Sequence, residues 1–171
     1  MTQSDRDLLK HFLGALAYRT QKALRGAPDR FAAFRAAPGV RTPQQLIHHM
    51  SGVLSYALSH FTEFDSWIQP CSDLKAEVKR FHQTLKWLGD HLDRGTPARE
   101  TTAEKLLQGP LADAMTHAGQ LALLRRLCGS PIPPENFHQA TISKENLSRD
   151  QAPAASPDTT WHDAEGRPQS G

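Results

Sequence analysis

Asp113-Ala-Met-Thr-His117-Ala-Gly-Gln120-Leu121-Ala-Leu-Leu124-Arg-Arg-Leu127-Cys128 is the stretch on which the reading of this chain turns. At about 100° per residue, Leu121, Leu124, Leu127 and Cys128 fall in one stripe, the pattern of an amphipathic helix. Asp113, His117 and Gln120 fall in the same stripe, so a carboxylate, an imidazole and an amide share the face expected to be buried. A carboxylate removed from water needs a cation, a metal ion or dense hydrogen bonding. Leu111, Met115, Ala118 and Ala122 form a second apolar strip, suited to a neighbouring helix or a partner subunit. Gly119 weakens the helix by about 1 kcal/mol relative to alanine, which predicts close approach of another backbone there.

Upstream, the same periodicity recurs and no segment alternates like a strand. A first helix is expected to begin after Ser4, carry Leu8, Leu9, Phe12, Leu13 and Leu16 inward, and end near Gly26-Ala-Pro28. A short helical turn is expected around Phe31 and Phe34. Thr42-Pro43-Gln-Gln45 opens a second helix with a cap, a first-turn proline and a capping box. Its apolar stripe is Leu46, Met50, Val53, Leu54, Ala57 and Phe61. A third helix carries Leu74, Val78, Phe81, Leu85, Leu88 and Leu92 as far as Arg94-Gly95. Thr101-Thr-Ala-Glu104 reads as another capping box opening a turn or two that Gly109-Pro110 interrupts, with the proline in the first turn of a fourth helix ending at Cys128-Gly129. Four such helices predict an all-α four-helix bundle. Residues 1–147 make up this domain, closed by an irregular Pro-rich segment from Pro131. Residues 148–171 read as a disordered C-terminal tail, with Trp161 the one tail residue suited to docking.

The bulk properties narrow the function. Twenty Lys+Arg against 18 Asp+Glu leave a net charge of +2 over 171 residues, which gives nucleic acid and anionic membrane no basic patch to read. No short helix with clustered Arg, Lys or Asn offers a helix-turn-helix reader. No apolar run approaches the length of a membrane span, and a cytoplasmic protein is expected. Cys71 and Cys128 are expected as free thiols, the latter on the packing stripe.

Asp113 and His117, four residues apart, are neighbours on a helix and can either pair with each other or bind one ion together. A third ligand is sought on the second helix. His49 lies at the edge of its apolar stripe beside Val53, Tyr56 and His60, whereas His48 points to solvent. The candidate ligand set is therefore His49, Asp113 and His117. Zinc, nickel, manganese and iron(II) all accept imidazole and carboxylate together. Gln120, one turn beyond His117, could orient a ligand or satisfy backbone. Tyr56 and His60 could line a pocket or merely form a helix edge. His48 or His60 would be the fourth ligand if the site were closed and structural. His82 and His91 read as surface residues.

Thr42-Pro-Gln-Gln-Leu-Ile-His-His49-Met, then Asp113-x-x-x-His117-Ala-Gly-Gln120-Leu, Leu124-Arg-Arg-Leu127 and Pro134-Glu-Asn-Phe137, resemble the DinB-like (YfiT-like) family of bacterial four-helix metalloproteins, over residues 4–142. The resemblance implies a divalent metal held by a second-helix histidine and two ligands near the start of the last bundle helix. Those positions here are His49, Asp113 and His117. The family pattern has histidine at both spaced positions, so Asp113 is a departure. The resemblance further implies a metal-dependent transferase that uses a low-molecular-weight thiol against a small-molecule electrophile, ahead of a hydrolase, and a homodimer. The other reading is a non-catalytic helical bundle, metal-stabilised or metal-free, acting in protein contacts or a stress response.

Overall fold

The computed structural model describes residues 1–63, 67–155 and 157, and among these it is helical with no strand. Helix α1 spans Gln3–Leu24, α2 Pro43–Ser59, α3 Leu74–Asp93, α4 Ala103–Leu106 and α5 Ala112–Leu127. Helices α1 and α2 each pack against both α3 and α5, so the four long helices close into a ring around one core. Leu13, Leu16, Met50, Leu54, Phe81, Leu85 and Leu121 fill that core. None of the described helices is long and apolar enough to cross a membrane. The expected position of Trp161 lies outside the described residues.

Local chemistry sets the helix ends. Thr42 caps α2 and exchanges hydrogen bonds with Gln45, as its sequence predicts. The α1 cap is Thr2 with Asp5 rather than Ser4, because Asp5 can return a bond to the Thr2 N–H (2.7 Å). Likewise Thr102, not Thr101, caps α4 through Lys105 N. Asp29–Phe31 form the expected short turn, with Phe31 fully buried. Leu8, expected inside, is exposed, and the inward face of α1 instead includes Lys10, Ala17, Tyr18 and Thr20.

Pro110 does not end a helix. Residues Leu107–Leu111 form a π turn that joins α4 to α5 without a break. The Ala112 N–H reaches back five residues to Leu107 O. The wider turn accommodates a residue that has no N–H and whose ring would crowd the preceding turn of an α-helix.

The buried face of α5 is rotated from the expected stripe. Ala114, Ala118, Leu121, Arg125 and Cys128 lie at its centre, and Leu127 is exposed. Asp113 and Gln120 stand on one rim and Met115 and Ala122 on the other. Arg125 is buried because it caps α1, donating to the carbonyls of Ala23 and Arg25 (3.0 Å each). These are carbonyls that a helix end leaves without partners. Gly119 meets no neighbour: a Cβ there would have nothing within 4 Å, contrary to the expected backbone contact.

The segment after Pro131 packs across α1 and α3. Ser143 passes so close to α1 that a Cβ on Gly14 would lie 2.5 Å from Ser143 O. Lys10 bridges Glu145 (2.6 Å) and Asp93 (2.7 Å). His82, expected at the surface, is buried under this segment, donating from Nδ1 to Leu147 O (2.8 Å) and accepting from Gln21 Nε2 (2.7 Å). Ser148 onward, expected to be tail, is tied down as far as Ala155. Arg25 donates to Gln151 O and Ala152 O, and the fully buried Glu135 accepts from Tyr18, Lys22 and the Ala155 N–H. Burial and the Glu135 contact push the Tyr18 hydroxyl up to about 12. Burial alone would raise the Glu135 carboxyl, but the Lys22 and Tyr18 hydrogen bonds outweigh it and hold the group below its ordinary range.

Gly14→Ala should lift residues 143–147 off α1 while leaving the four helices folded, because the added methyl meets a backbone carbonyl that cannot rotate away. Faster hydrogen exchange confined to that segment is the expected signature. Glu135→Gln should destabilise the protein by about 3 kcal/mol in a denaturant melt at neutral pH. Since the folded carboxyl is held low, its stabilisation is complete above the ordinary carboxylate value and disappears as pH falls through the lowered one. The wild-type and Glu135→Gln stabilities should therefore converge in acid.

Candidate metal centre

The N-terminal halves of α2 and α5 face each other, and this brings His49, Asp113 and His117 together as expected. Asp113 Oδ2 lies 3.3 Å from His49 Nε2, and Asp113 Oδ1 lies 3.2 Å from His117 Nε2. The two imidazoles meet edge to face, with centroids 4.7 Å apart. One ligand atom from each residue falls within 4.8 Å of the other two, a group that could hold a metal ion. His117 is the buried member with 9% of its side chain exposed, whereas Asp113 retains 44% and His49 30%. The centre thus lies at the rim of the core and opens to solvent.

His117 Nδ1 donates to Gln120 Oε1 (2.7 Å). With its proton there, Nε2 turns a lone pair toward the same point as the Asp113 carboxylate. Gln120 itself is exposed, so its role is to orient His117 and not to fill the core. Burial, reinforced by the positive charge of Arg41 and by His117, pushes the His49 imidazole below its ordinary range despite the opposing pull of Asp113. His49 is therefore neutral at neutral pH, the form that can donate a lone pair.

Two hollows flank the centre. One is a cleft of about 1230 Å³ lined by His48, His49, Tyr56, Trp67 and Asp113 together with Arg35 and Arg41. The other, of about 660 Å³, is mainly apolar, with Val40, Leu123, Leu124 and Leu127 beside His117 and Gln120. Tyr56 is thus in the cleft, as expected, while His60 is not. His60 donates to Arg99 O (2.9 Å) at the end of α2 and packs edge-on to Tyr56. Cys128 is buried in packing and Cys71 half-buried, both as free thiols.

The expectation for His48 is overturned. It turns toward α3, where Arg80 Nη2 lies 2.9 Å from its Nδ1 and Glu77 Oε1 lies 3.4 Å away. Glu77 is fully buried, paired with Arg80 and accepting from Cys71 N (2.7 Å). A signal for this network was present in the sequence: Glu77 stands three residues after Leu74 and four before Phe81, on the apolar stripe of α3. His91 is half-buried and stacks on Phe61 with centroids 6.0 Å apart.

No family model matches the chain, and no curated protein and no solved structure matches it.

Arg41→Gln should raise the His49 midpoint in an NMR pH titration, because a like charge beside the imidazole is removed. An unchanged midpoint would mean that Arg41 does not contribute to it.

Proposed function

We propose that the chain is a DinB-like metalloprotein in which His49, Asp113 and His117 hold one divalent ion, and that the centre serves thiol transfer to a small electrophile. The observation that carries the metal reading is the convergence of three ligand atoms from two helices. Ligands about 2.0–2.1 Å from a tetrahedral zinc ion lie about 3.3–3.4 Å from each other. The two contacts of Asp113, one through each carboxylate oxygen, at 3.3 and 3.2 Å, come near that edge, and one ligand atom from each residue lies within 4.8 Å of the other two. Charge-assisted hydrogen bonds in a metal-free pair would instead be shorter, about 2.7–2.9 Å.

Two imidazoles and a carboxylate with open positions suit zinc and iron(II), and the same donors accept manganese and nickel. A bound divalent ion would lower the pKa of a thiol or water beside it, which supplies a nucleophile at neutral pH. The chain's own residues do the rest. Asp113 offsets charge, Gln120 orients His117, and Tyr56 and Trp67 wall the cleft on the side away from the core. Thiol transfer rests on the family resemblance, with the open cleft supporting a reactive over a purely structural site.

Elemental analysis of untagged protein, followed by titration with zinc, nickel, manganese and iron(II), should find one ion per chain. The bound ion should raise Tm, and Asp113→Ala or His117→Ala should abolish most of that increment while His48→Ala retains it. Gln120→Leu should weaken metal binding about 10- to 100-fold. No stoichiometric metal and no metal-dependent Tm would sink the reading and leave Asp113 bridging two histidines as a structural pair.

A further inference from the structure

His48 and Arg41 stand outside the candidate ligand set, yet both line the cleft next to it. Arg80 approaches His48 Nδ1 to 2.9 Å, and a guanidinium can only donate. Glu77 Oε1 stands farther from the same nitrogen, at 3.4 Å, and makes no hydrogen bond to it, so the closer Arg80 makes Nδ1 the acceptor and puts the ring proton on Nε2. Arg80 is itself anchored by the buried Glu77 carboxylate and by Gln69 O, so the direction of donation cannot reverse. The result is an N–H donor at the cleft wall whose tautomer is set from behind. Among the described residues lining this cleft, Arg35 and Arg41 are cationic and Asp113 is the only carboxylate, already shared between His49 and His117. Arg35 donates to Val40 O (2.6 Å), which holds the loop that presents Arg41. Arg41 lines both the cleft and the apolar hollow beside His117, and its positive charge acts on His49.

We propose that this cleft is an anion site: it takes a small ligand bearing a carboxylate or phosphate group, which accepts hydrogen bonds from the Arg41 guanidinium and the His48 Nε2–H. This rests on the reading that the cleft receives the substrate of the neighbouring centre, and it names the chemical class of that substrate. A planar guanidinium matches either oxyanion in bidentate fashion, and a metal ion next to it would add to the same preference.

The test uses the full chain, its zinc content fixed by elemental analysis, titrated calorimetrically with inorganic phosphate and separately with succinate at constant ionic strength. At least one anion should bind saturably at one per chain, and the stronger of the two identifies the head group. Arg41→Gln and His48→Phe should each weaken that binding at least tenfold with zinc content unchanged. His48→Gln, which returns an N–H donor near the position of Nε2, should recover most of it. Long-range proton–nitrogen NMR should show His48 protonated on Nε2. Absence of saturable binding by either anion, equal binding by wild type and both weakened variants, or a His48 proton on Nδ1 would each overturn the proposal. If the protein takes up no zinc, the metal reading fails by that measurement. The same titrations on the metal-free chain then judge the anion site alone, since Arg41, His48, Arg80 and Glu77 are all still in place.

Discussion

Two imidazole nitrogens and a carboxylate pointing at one spot repel one another unless something positive lies between them, and the meeting of α2 with α5 is arranged around that constraint. His117 has its other nitrogen occupied by Gln120, and His49 is kept neutral by burial and by Arg41. A proton could be shared with Asp113, but the contacts of 3.2 and 3.3 Å are long for that and suited to a common ion. The rim position matters as much as the distances. A carboxylate buried at the centre of the bundle would carry a desolvation penalty of several kcal/mol, whereas the half-exposed Asp113 carries only part of it and remains reachable from solvent.

The helices and the meeting of His49, Asp113 and His117 were legible because they follow from spacing. The Thr42-Pro43-Gln45 start of α2 is a local signal that tertiary structure had no reason to override. Asp113 and His117 are joined by a four-residue step, and His49 by its place on the stripe edge. What the sequence concealed is which way each face turns. The stripe through Asp113, Gln120 and Leu127 was read as core, but the centre of burial passes through Ala114, Ala118, Leu121 and Arg125. Small alanines gave little weight to that line, and an arginine on it argued against burial until its partners, the last carbonyls of α1, were known. His48 and His82 were misplaced for the same reason. Each is satisfied by groups distant in sequence, Arg80 and Glu77 for one and Leu147 and Gln21 for the other.

The buried polar groups divide by task. Glu135 with Tyr18 and Lys22, and Lys10 with Asp93 and Glu145, bind the irregular C-terminal segment to α1 and α3, on a different part of the bundle from the candidate metal centre. Glu77 and Arg80 do the same for the chain before α3 through Gln69 and Cys71, but they also reach the cleft through His48. A second set of conformational restraints therefore ends on a side chain that faces the same opening as the triad. Rigid support of this kind is what keeps a donor at a fixed orientation when water is displaced by a ligand.

The π turn at Leu107–Leu111 has a consequence for the phase of everything after it. One residue more or less in a helix rotates the remainder by about 100°. With Leu106 facing the core on one side of the turn and Ala114 and Leu121 on the other, the extra residue lets both stretches bury their apolar faces. Without it, α5 could keep its core or present Asp113 and His117 to His49 only by breaking register with α4. Pro110 thus stands at an insertion point that sets the angular alignment of the centre, though it is not one of the three candidate ligands. Changes of length there would retune the site as a dial turns, by rotation, while leaving the chemistry of every ligand as it was.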